Sequence, residues 1–193
     1  MTHTLLPTLL VKGLPLSELN PKTKKHFERF YVVLSLEKTE KGVIVRGPIA
    51  SSIINAGFGT PLSGLAVELN PLEAVYLILK KKLLAEDAQE LVKTLSSTLK
   101  DFWSIYSIYA DLTDQGKKVA YDDELGCILQ IKGEKRGYVP LSYDRPLTLK
   151  ALVEKAKKLE ELGWIAVLAI VDEHGTVTYY SVNTRPPSLE LLN

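Results

Sequence analysis

The sequence predicts an α+β fold in two small domains, the carboxy-terminal one an α/β sheet layer with flanking helices. Three observations support that class. A strongly signalled helix starts at Asn70-Pro71-Leu72-Glu73, well inside the first half of the chain. In the second half, Leu149, Leu152, Val153, Ala156, Leu159 and Leu162 recur at helical spacing, stop at Gly163 and lead into the unbroken apolar run 164–171. That run has the length and character of a strand covered on both faces. Charge also divides the chain: residues 1–100 carry 13 Lys/Arg against 9 Asp/Glu, a balance of +4, and residues 101–193 carry 11 against 14, a balance of −3. The expected domains are 1–100, α+β behind a loosely structured arm, and 101–193, the sheet layer.

Residues 1–30 interrupt short apolar runs with Pro7, Gly13, Pro15 and Pro21 and end in a basic stretch from Lys22 to Arg29. Little regular structure is expected there. Residues 31–36 and 43–46 read as two strands joined by the turn-prone Lys38-Thr39-Glu40-Lys41-Gly42. A short helix over 48–55 should end at Gly57, where the missing Cβ permits a left-handed stop. Asn70 then caps the next helix, Pro71 takes its first position, and Glu73 reaches back to an orphan amide. Leu72, Val75, Tyr76, Leu79 and Leu83 give that helix a buried face, and Lys80-Lys81-Lys82 closes it. Cations there complement the helix dipole; a phosphate contact is the alternative use.

Residues 87–115 predict one or two helices, with Leu91, Val92, Leu95 and Leu99 on one stripe and Phe102, Trp103, Tyr106 and Tyr109 continuing it. The aromatic stripe is expected in the core. Base stacking is the alternative, although stacking modules carry their aromatics on sheets and grooves. From Lys117 the pattern turns to strands at 119–121 and 127–132, which flank Asp122-Asp123-Glu124. Thr148 caps the helix that Gly163 ends. Asp172-Glu173-His174-Gly175 turns the 164–171 strand into another over 176–182, and Pro186-Pro187 ends regular structure.

Composition narrows the functional classes. A hydrophobic content of 46% supplies real cores. No run of about 18 apolar residues exists, so no transmembrane helix is expected. The start Met1-Thr2-His3-Thr4 lacks the basic region of a secretory signal. The lone Cys127 permits no internal disulfide and fits a reducing, cytoplasmic compartment. With one Cys, one Met, five Asn and three Gln, thermolabile side chains are scarce, which leans towards a thermophile. A net charge of +1 is too small to attract nucleic acid strongly.

Most site motifs are missing. The chain has no phosphate-cradling Gly-x-x-x-x-Gly-Lys, no dinucleotide fingerprint and no Cys/His zinc pattern, so no cofactor is expected. Asn55-Ala56-Gly57-Phe58-Gly59 contains G-x-G without a third glycine, and backbone freedom at a turn is its expected role. Asp122, Asp123 and Glu124 could together hold a hard cation, yet spacing sets no histidine or distant acid beside them. His174 sits at a hairpin tip without a fixed partner, and His3 and His26 belong to no constellation.

Two longer segments are more specific: Tyr109-Ala110-Asp111-Leu112-Thr113-Asp114-Gln115-Gly116-Lys117-Lys118-Val119, and Ala166-Val167-Leu168-Ala169-Ile170-Val171-Asp172-Glu173-His174-Gly175-Thr176-Val177-Thr178-Tyr179-Tyr180-Ser181-Val182. Upstream stand Gly57-Phe58-Gly59 and Leu69-Asn70-Pro71-Leu72-Glu73-Ala74-Val75-Tyr76-Leu77. The first segment resembles "Y-x-D-L-R-x-R-G-Y-x-V" of the archaeal tRNA-splicing endonuclease family, and the second resembles its "L-V-L-A-V-V-D-x-x-G-D-V-T-Y-Y-x-V". The upstream pair is similar to that family's amino-terminal domain, in the same order.

The resemblance implies a nuclease-like carboxy-terminal fold, and members that cut RNA use a tyrosine, a histidine and a lysine. A base must take the proton of the 2′-hydroxyl, an acid must protonate the leaving 5′-oxygen, and a cation offsets the charge growing on the phosphate. Aligning the flanking matches sets Lys132 in the tyrosine slot, Lys135 at the histidine slot ("H-S-x-Y-L-V" in active relatives) and Trp164 in the lysine slot. No histidine lies between His26 and His174. The chain is thus expected to be no enzyme by itself.

What the resemblance implies instead is a structural subunit in a heterotetramer with a separate catalytic chain, two copies of each. That family cuts precursor tRNA at bulge–helix–bulge sites without a metal. It also pairs through carboxy-terminal strands, and an acidic loop at the position of Asp172-Glu173-His174-Gly175 enters a basic groove on the opposing subunit. The implied partner-binding residues are Asp172, Glu173, His174, Gly175, Tyr179, Tyr180 and Val182; Thr176 stands where active relatives often carry another Asp. Two other classes stay open: a self-sufficient nuclease with a relocated site at Asp122, Asp123 and Glu124, and a standalone RNA-binding or scaffold protein.

Overall fold

A computed structural model of the chain describes residues 36–39, 42–85, 87–142 and 147–184. The arm over 1–30 with its basic end, all but Leu36 of the expected strand 31–36, and Pro186-Pro187 lie outside those residues. The chain divides into two compact units between Thr98 and Leu99, against an expected boundary after residue 100.

The first unit is built on a four-stranded antiparallel sheet in the order β1 (Glu37–Thr39), β2 (Gly42–Arg46), β4 (Ala66–Leu69) and β3 (Thr60–Leu62). Thr39 pairs with Gly42, so strand structure reaches into the segment expected to turn. Strands β3 and β4 have no counterpart in the sequence reading. On β2, Val43 and Val45 are fully buried, while Arg46 points the other way to an exposed ion pair with Glu37 at 3.0 Å. Period-two alternation of this kind puts one face against the helices and leaves the other wet.

Three helices of this unit lie among the described residues: α1 (Pro48–Asn55), α2 (Pro71–Leu79) and α3 (Ala88–Ser96). The start of α2 is a capping box. Asn70 Oδ1 accepts from the Glu73 amide and Glu73 Oε2 accepts from the Asn70 amide, both at 3.0 Å. The other Glu73 oxygen accepts from the Gly59 amide at 2.9 Å, which ties the Gly57-Phe58-Gly59 turn to the helix start. Phe58 stacks on Tyr76 with ring centroids 5.6 Å apart. Burial extends nearly all round α2, and Leu79, expected inside, is exposed at its last position. Leu83, expected on the same face, is buried just beyond the helix.

The second unit is a helix–sheet–helix layer. Its elements are α4 (Phe102–Asp114), β5 (Val119–Asp122), β6 (Cys127–Gln130), β7 (Arg136–Ser142), α5 (Leu149–Glu161), β8 (Ile165–Val171) and β9 (Val177–Ser181). The sheet order is β5-β6-β7-β8-β9; β7 and β8 are parallel, with α5 in their crossover, and every other pair is antiparallel. Cys127 and Val139 face Ala156 and Leu159 of α5. Alternate residues such as Tyr138 face the side of Tyr179, whose hydroxyl reaches Asp111 on α4. With both helices and sheets in place, the α+β class holds. Burial pushes the Cys127 thiol up to about 11, so it stays a protonated core group.

Several expectations about faces need correction. Trp103 is 51% exposed, because the buried stripe of α4 runs through Phe102, Ile105, Ile108, Tyr109 and Leu112. Its neighbour at one residue's spacing is turned about 100° away. Leu149 and Leu162 are exposed at the two ends of α5, whose buried contacts come from the middle turns. Strand β7 has no counterpart in the sequence reading, and it contains Gly137 and Pro140, both poor strand residues. Pro140 lies beyond the last β6 partner of β7, Tyr138, where a missing N–H leaves no ladder bond unmade.

Candidate functional site

The three slots lie at one end of the second unit's sheet. Lys132 and Lys135 belong to the exposed β6–β7 connection, and Trp164 joins α5 to β8. The backbone brings two of them together, because the Ile165 amide donates to the Lys135 carbonyl at 2.8 Å. There the Lys135 ammonium lies 5.9 Å from the Trp164 ring centroid. Trp164 also packs on the core formed by Cys127, Val139, Ala156, Leu159 and Ala166. Lys132 is not part of that pair; its carbonyl accepts from Gln130 Nε2 at 3.0 Å. An ammonium at that distance from an indole face is a cation–π packing contact. His174, the one histidine among the described residues, lies past the opposite end of β8. Seven strand residues put it about 20 Å from Trp164 at the usual rise per residue.

The β8–β9 hairpin holds the other implied residues, and the geometry gives them different tasks. Asp172 Oδ1 accepts from the amides of His174 at 2.9 Å and Thr176 at 2.8 Å, and the Asp172 amide donates to the Thr176 carbonyl at 3.0 Å. Asp172 therefore holds the turn. Glu173 and His174 point into solvent and face each other at 3.5 Å. Gly175 adopts φ +80°, and a Cβ added there would lie 3.4 Å from Ser107 Oγ of α4.

The amide hydrogen bonds from Thr176 and then His174 hold the Asp172 carboxyl below the usual aspartate range. A depressed folded value means that the contribution to the turn is complete above the ordinary aspartate pKa and is lost only as pH falls through the lowered one. The amide resonances of His174 and Thr176 should accordingly titrate together below the pH at which an exposed aspartate protonates. A midpoint at the ordinary value would refute the turn-holding role.

Among the described residues, strand β9 is the edge of its sheet. Ladder bonds to β8 run through the pairs 166/182 and 172/176. By alternation they also run through 168/180 and 170/178, so the N–H and C=O groups of Val177, Tyr179 and Ser181 point away from β8. The implied interface side chains do not act alike. Tyr180 is 55% exposed. Val182 packs on the domain's own α5-side core. Tyr179 turns to α4, donating to Asp111 Oδ2 at 2.6 Å and meeting Tyr138 edge-on at 5.5 Å.

Around Tyr179 is a cluster that sequence reasoning missed. The Lys117 ammonium lies 5.8 Å from the Tyr138 ring centroid and 5.9 Å from that of Tyr179. Asp111 Oδ2 also accepts from Gln115 Nε2 at 2.7 Å, and Tyr138 donates to Gln130 Oε1 at 3.0 Å. Burial, and then Asp111, raise the Tyr179 hydroxyl above the ordinary tyrosine range, so it stays a donor. Asp111 and Tyr179 both stand inside the quoted segments, but nothing local links residues 68 apart.

Of the carboxylates Asp122, Asp123 and Glu124, Asp122 has a local role, since its Oδ1 accepts from the Leu125 amide at 2.9 Å and so shapes the β5–β6 turn. Among the described residues no three His, Cys, Asp or Glu side chains converge as metal ligands, and no helix is long and apolar enough to cross a membrane. No protein-family model matches the chain.

Proposed function

We propose that the chain is the non-catalytic, structural subunit of a heterotetrameric archaeal tRNA-splicing endonuclease. It acts in the cytoplasm and positions catalytic subunits that excise introns from precursor tRNA. The observation that carries this reading is the character of the slots. Segments resembling the family flank a position where active members need an acid, a base and a cation, and here Lys135 and Trp164 pack together. None of the three slots carries the residue type that active members use there. What it offers is a strand edge at β9 and an exposed acidic tip at Glu173. Cutting two junctions at a fixed spacing requires catalytic chains held at a fixed separation, and an inactive homologue can provide that separation without chemistry.

The test is complementation. The purified chain should leave an intron-containing precursor tRNA uncut, and adding a homologue with an intact tyrosine, histidine and lysine should produce cleavage at both junctions. Metal-independent cutting by this chain alone would overturn the reading. So would the absence of any stable complex with such a homologue.

A further inference from the structure

Four helices among the described residues end in the same backbone motif. In each, the residue after the C-cap is left-handed and donates to the third residue before it, and the next residue donates to the fifth before it. Gly57 ends α1 this way, Gly116 ends α4 and Gly163 ends α5. In α2 the left-handed position is Lys81, with φ +56°. Its amide donates to Ile78 at 2.9 Å, and the Lys82 amide donates to Leu77 at 2.8 Å. A side chain is strained there and glycine is not, so this chain keeps a lysine where it elsewhere uses glycine.

The flanking cations are held in place. The Lys80 and Lys82 ammoniums lie 5.6 and 5.7 Å from the centroid of one ring, that of Tyr76. Tyr76 itself is buried against Phe58, and Leu83 anchors the segment from below. Lys81 and Lys82 have no ion pair among the described residues. Complementing the helix dipole needs a cation in the last turn, but it does not need one at the strained position.

We propose that Lys80, Lys81 and Lys82 form a contact site for the phosphodiester backbone of RNA. Three point cations on a rigid turn suit phosphates presented at varied angles. Protein interfaces, by contrast, are depleted in lysine and centre on apolar or aromatic anchors, and Leu79 is the one exposed apolar side chain of α2. The proposal rests on the reading of the chain as part of an RNA-processing enzyme, and it names where this subunit touches the substrate.

The experiment uses the full chain and a fluorescein-labelled RNA stem-loop, with binding followed by anisotropy across a salt series. Lys81→Gly should raise the unfolding midpoint and weaken RNA binding at once, while Lys81→Arg should keep the affinity. A triple Lys→Gln variant should lose affinity on the order of tenfold, with the salt slope falling by about one for each phosphate contact removed. Lys93→Gln on α3 should change nothing. Unchanged RNA affinity in the triple variant overturns the site, and does so equally if binding of poly-L-glutamate is lost instead, which marks a surface for acidic protein. The two readings fail separately. Triple-variant RNA loss in a chain that never assembles with a catalytic homologue sinks only the subunit reading, whereas an assembled triple variant that binds and cleaves precursor tRNA normally sinks only the lysine site.

Discussion

Gly59→Ala should destabilise the amino-terminal unit by about 2–4 kcal/mol, the range set by overpacking added to a strained backbone angle. Gly59 has φ +71°, and an added Cβ would lie 2.4 Å from Val67 Cγ2 and 2.8 Å from the Glu68 carbonyl oxygen. The backbone cannot rotate away cheaply, because the Gly59 amide is held by Glu73. Relief would break the link between this turn and the capping box of α2. Far-UV circular dichroism in a denaturant series checks it. Tryptophan emission is the wrong probe, since Trp103 and Trp164 both belong to the second unit. A variant with an unshifted midpoint would show that the glycine serves something other than packing.

The second large effect is at the sheet edge. On the proposed subunit reading, Tyr180→Asp should leave the fold intact and weaken association with a catalytic homologue by about 2–4 kcal/mol, as losing a buried aromatic anchor does. Tyr180 is exposed here and stands beside the outward-facing backbone groups of Tyr179 and Ser181. Val182→Asp is no equivalent, because Val182 is half-buried against the α5-side core and a carboxylate there would destabilise the domain itself. Paired measurements separate the two: melting for each variant, and sedimentation with the partner for Tyr180→Asp. Stoichiometric co-sedimentation of a folded Tyr180→Asp variant would remove β9 from the interface.

Features that depend on a few neighbouring residues were legible in the sequence. The capping box at Asn70 and Glu73 and the glycine stops at Gly57 and Gly163 act within about one helical turn, as does the Thr148 cap. Position in the sheet was harder to read. Strands β3 and β4 are three and four residues long, too short to show a period. Strand β7 carries Gly137 and Pro140, and it holds because β8 pairs along its whole length. At the candidate site, sequence could name Tyr179, Tyr180 and Val182 as neighbours and assign alternate faces. Which side chain meets its own core and which meets solvent depends on α4 and α5, and on an Asp111 contact from far along the chain.

The edge position of β9 among the described residues has a consequence for the chain on its own. Residues 177–182 form a six-residue run with no charge, proline or glycine, rich in β-branched and aromatic side chains. Its backbone donors and acceptors are already held extended by β8. That combination templates cross-β stacking as readily as productive pairing. Synthesis of this chain in excess should therefore yield insoluble, dye-binding material, and synthesis in step with the partner should suppress it. If the proposed subunit reading holds, the same strand edge makes the ratio of the two gene products a matter of solubility, with orphan copies a burden on chaperones and proteases.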